Sequence, residues 1–211
     1  MNEITIHIGF GKSDSAEKKA NSGGNGPDPT ACVTLVPDQG EFQVNAEYIC
    51  SSTEKEATKT AEKYSQTLKI PIQYQSKALN SWKIGDLEEQ PDSTKIGRIK
   101  MYVDWNPDEK VNGGESFNTF KNRLLKEIES ILDKAKKDKK EILVVTSNIC
   151  CKLVYSWFEG KSKDDVYNVD TEEFVEEGFR DPFPIRIEWN GSEFECEELE
   201  YEEKENEEED D

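Results

Sequence analysis

The stretch that most constrains this chain is 116–146, where a long amphipathic pattern runs directly into an uninterrupted apolar segment. Phe117, Phe120, Leu124, Ile128, Ile131 and Leu132 recur at intervals of mostly three and four, which draws one apolar stripe along a helix over 116–139. Lysines crowd its last turns, where the helix dipole favours cations. Residues 141–146 then read as a strand buried on both faces. A strand of that kind needs helices packed on either side of its sheet, so the fold class is α/β.

The remaining pattern extends this unit. Residues 4–8 read as a short strand ended by Gly9, Phe10 and Gly11, and 11–30, rich in Lys, Ser, Gly, Asn, Asp and Pro, as a flexible loop. Strands are expected over 31–36 and 48–50. A polar helix follows over 53–67, capped by Ser51 or Ser52, with Ala57, Ala61 and Tyr64 on its inner face. Another strand spans 70–74. Within the mixed region 77–104, Ile96, Ile99, Met101, Tyr102 and Val103 suit a short amphipathic helix, and Asn112, Gly113 and Gly114 mark a break. A helix over 148–159 precedes a closing hairpin, 185–189 and 193–196, around Asn190 and Gly191. Alternating strands and helices predict a three-layer α/β/α sandwich about a mostly parallel sheet. One domain over 1–196 is expected, followed by an acidic disordered tail over 197–211.

Charge and cysteine usage narrow the function classes. The formal net charge is -19, but 193–211 holds 13 acidic residues against Lys204 alone and so contributes -12 of it. The body, at -7, is only mildly acidic and repels nucleic-acid phosphates. Five cysteines form an odd set without a CxxC pair, and no apolar N-terminal signal is evident, which predicts reduced thiols in a cytoplasm. His7 is the only histidine, so a four-ligand zinc site is not expected, nor is any cofactor. No run approaches the roughly 20 apolar residues of a membrane span. Adjacent Cys150 and Cys151, with no histidine nearby in sequence, read as small buried residues of a helix rather than as a nucleophile.

Three segments, in order, resemble the histidine phosphatase (phosphoglycerate-mutase-like) superfamily, above all its small bacterial and bacteriophage members. Ser52, Glu56, Ala57, Thr60 and Ala61 follow the spacing of the family's Ser-Pro-x-x-Arg-Ala-x-x-Thr-Ala helix start. Trp82 and Gly85, followed after a spacer by Gly113, Gly114, Glu115, Ser116 and Phe117, with Phe120 and Arg123 on the next helix, match a second motif. Thr146, Ser147 and Asn148 stand where the family has a strand running into Val-Thr-His-Gly. The likeness covers about 48–160.

The resemblance implies a phosphohistidine mechanism, in which the nucleophilic histidine sits in an Arg-His-Gly turn after the first strand. Two arginines and a second histidine surround the phosphoryl oxygens, and a carboxylate supplies the leaving group's proton. Such a site must gather fixed cationic donors around three oxygens that collect negative charge. On the strand at 4–8, one alignment sets Gly9, Phe10 and Gly11 over that turn and the other sets His7, Ile8 and Gly9 there. Neither Phe10 nor Ile8 can act as the nucleophile. The second arginine falls at Glu56 and the second histidine at Ser147, while Glu115 retains the acid-base position. Glu115 is equally explained as a group that caps or hydrogen-bonds the start of the helix at Ser116.

Gly11, Lys12 and Ser13 match the end of a phosphate-binding loop, but its first glycine would fall at Ile6 and no buried helix follows. The expectation is therefore a catalytically inactive family member serving as a binding or assembly module. Two alternatives stay open. One is a displaced site in which His7, Lys12, Ser13 and Glu115 act on a phosphorylated small molecule. The other is a partner-binding role for the acidic tail in a viral or bacterial assembly.

Overall fold

The computed structural model describes residues 31–39, 42–160, 167–176 and 182–199. Six strands form one mixed sheet in the order β3-β2-β4-β1-β5-β6, with β1 Cys32–Pro37, β2 Tyr48–Ser52, β3 Ile72–Ser76, β4 Glu141–Thr146, β5 Ile185–Trp189 and β6 Phe194–Glu198. The pairs β2-β3, β2-β4 and β1-β4 are parallel, and the hairpin β5-β6 adds on antiparallel beside β1. The helices are α1 Lys55–Leu68, α2 Asp92–Asp104, α3 Phe117–Asp138, α4 Asn148–Gly160 and α5 Thr171–Glu176.

Alternation along β4 divides the core in two. Ile142 and Val144 join Val33, Leu35 and Cys50 in the larger core, which α2, α3, α4 and α5 complete. Leu143 and Val145 join Val36 and Ile49 on the opposite face, under α1. Ala57 and Ala61 are small enough to seat α1 closely there, and Phe42, Val44 and Tyr64 fill its margins. The expected α/β/α layering is thus present, and β4 spans its expected limits.

Several local details differ from the sequence reading. Ser51 and Ser52 belong to β2 and do not cap α1, whose N-cap is Glu54 with no side-chain bond; Ser52 Oγ instead accepts from Glu54 N at 3.2 Å. The strand expected at 70–74 lies at Ile72–Ser76, because Pro71 has no N–H to donate to the ladder. On α2, Ile99 and Val103 are buried while Ile96 and Met101 face outward, so its apolar residues are divided between two sides. The strand at 4–8, the loop at 11–30 and most of the acidic tail lie outside the described residues.

Candidate functional site

Three of the four parallel strands, β1, β2 and β4, end together. In register, Pro37 lies beside Thr146 and Ser51 beside Val145, which sets the turns after β1, β2 and β4 side by side. This edge, at the carboxyl ends of parallel strands, is where open α/β sheets bind ligands. Both hydrogen-bonding sides of β4 are occupied, by β1 on one and β2 on the other. Any group meant to meet Ser147 from a neighbouring strand end therefore comes from Asp38 and Gln39 or from 52–56.

Carboxylates occupy those turns. Asp38 is half-buried after Pro37, and its backbone carbonyl accepts from Thr60 Oγ1 at 2.9 Å. Its carboxyl is held above the usual range, first by burial and then by the negative charges of Glu54 and Glu56. Glu54 accepts from the backbone N–H of Ser81 at 3.0 Å. Glu56 is 63% exposed and pairs with Lys59 at 3.0 Å, one helical turn on. Ser147 is buried and donates to Cys150 Sγ at 3.3 Å, while Thr146 Oγ1 donates to Leu79 O at 2.6 Å. Cys150 and Cys151 are buried as expected, and burial pushes the Cys150 thiol up to about 11. Among the described residues, no buried side-chain nitrogen or oxygen lacks a hydrogen-bond partner.

Glu115 lies nearby but is committed. Arg123 Nη2 donates to its Oε1 at 2.6 Å and Nε to its Oε2 at 3.1 Å, a two-pronged ion pair. The other Arg123 protons go to the carbonyls of Ala78, Asn80 and Ser81 at 2.9, 2.8 and 2.7 Å. All five guanidinium donors are thereby used, leaving none for an incoming anion. The helix-cap role expected of Glu115 falls to Ser116, whose Oγ accepts from Thr119 N at 3.2 Å.

The Trp-x-x-Gly and Gly-Gly-Glu-Ser-Phe segments lock together around this pair. Lys83 and Glu115 exchange bonds, Glu115 N to Lys83 O at 2.9 Å and Lys83 N to Glu115 Oε1 at 3.2 Å. Trp82 stacks on Phe120 at 5.8 Å and donates Nε1–H to Glu115 O at 3.1 Å. A Cβ on Gly114 would stand 2.1 Å from Lys83 O, and one on Gly85, which has φ +52°, 2.0 Å from Asn112 O. These glycines serve a close backbone approach.

Of the residues singled out from sequence, Glu56, Glu115 and Ser147 surround this strand-end edge, whereas His7, Ile8, Phe10, Lys12 and Ser13 lie outside the described residues. Asp38 and Glu54 were missed. The pairing of β1 with β4, a long-range contact, is what brings Asp38 to the edge, and no local pattern announces it. Among the described residues no cluster of His, Cys, Asp or Glu is arranged to hold a metal ion, and no helix is long and apolar enough to cross a membrane.

The mixed α/β sheet with helices on both faces is the fold of phosphoglycerate-mutase-like proteins. The family model for the histidine phosphatase superfamily (branch 1) matches residues 41–174, and the chain belongs to that superfamily. The matched interval begins after β1 and the turn that carries Asp38. Among solved structures, alpha-ribazole phosphatase from Shigella flexneri is similar at 16% identity and a TM-score of 0.54, over 80% of this chain and 95% of that one. Phosphoglycerate mutase from Bacillus anthracis is similar at 18% identity and a TM-score of 0.55, over 82% and 94%. YhfR of Bacillus stearothermophilus gives 20% identity and a TM-score of 0.54, over 78% and 94%. No curated protein sequence matches significantly.

Proposed function

We propose that this chain is a catalytically inactive histidine phosphatase that has kept the fold as a binding or assembly module, with the turn after β1 standing in the place of the Arg-His-Gly turn. The observation that carries this reading is the sign of the strand-end edge. Glu56 is a carboxylate where the family resemblance calls for a cation, Asp38 and Glu54 add carboxylates beside it, and burial, then the charges of Glu54 and Glu56, hold the Asp38 carboxyl toward its neutral form. A carboxylate in the place of a cation repels a phosphoryl group instead of holding it. The family mechanism also needs two histidines, and this chain has His7 alone. The displaced-site alternative loses support from Glu115, whose two oxygens are held by Arg123.

The test is turnover of p-nitrophenyl phosphate and of a phosphosugar panel by the purified full chain. Rates no higher than those of a mock preparation are expected. Turnover that follows the folded protein through purification and is abolished by Glu115→Gln or His7→Ala, with unchanged circular dichroism, overturns the reading.

A further inference from the structure

We draw no further inference here: the strongest candidate, the outer edge of β6 with its exposed Glu195, Glu197 and Glu198, carries nothing, because nothing in the structure shows what covers it and carboxylates on an edge strand are already explained by keeping other strands from pairing there.

Discussion

The interlocked loops and the strand-end edge lie side by side, yet they are built from opposite materials. In the first, Trp82, Gly85, Gly114, Glu115 and Arg123 bond and pack against one another. In the second, Asp38, Glu54 and Glu56 place like charges near one another. Residues of the first kind serve the chain itself, so replacing them costs stability whatever the protein does. Residues at the second serve a ligand rather than the fold, so their charge can change while the fold persists. The difference explains how a chain can keep a family's architecture beside an edge lined with carboxylates.

Three substitutions test that contrast, from the largest effect to the smallest. Gly114→Ala drives a Cβ into the Lys83 carbonyl and is expected to destabilise the chain by about 3–5 kcal/mol in chemical denaturation; a loss under about 1 kcal/mol would show that the interlock yields freely. Arg123→Met unpairs Glu115 and three carbonyls, for an expected loss of about 2–4 kcal/mol, held below the fully buried case because the pair is partly exposed. Asp38→Asn should act the other way. The Asp38 carboxyl is raised in the folded chain, so the native state holds its proton to higher pH than the unfolded state does. Stability from this group therefore falls as pH rises from the ordinary aspartate value through the raised one. The substitution is expected to raise the melting temperature at pH 7 and to lose that gain as pH drops below the ordinary aspartate value. A lower melting temperature at pH 7 would mean that the edge is not electrostatically strained.

What could be read in the sequence follows the same division. The helix after Ser116, the strand after it and the second motif are local patterns, and each appeared where expected because apolar spacing and glycine placement record packing directly. Glu56 and Ser147 were legible through the motifs that flank them. Asp38 was not, since its position follows from the pairing of Pro37 with Thr146 across the chain. The role of Glu115 was visible only in part: its motif named the residue, but the five-donor clasp of Arg123 depends on three carbonyls around Asn80 that no side-chain pattern encodes.

The central place of β1 also bears on how the chain assembles. Its two hydrogen-bonded neighbours, β4 and β5, begin roughly 110 and 150 residues downstream of it. Helix α3, β4 and α4 are contiguous and can organise locally, whereas the apolar segment Cys32–Pro37 must hold a slot open to partners made much later. During synthesis that segment is the stretch most in need of shielding from other chains, and its docking brings the turn at Asp38 beside Ser147. The edge beside Ser147 is thus completed by a contact between segments roughly 110 residues apart.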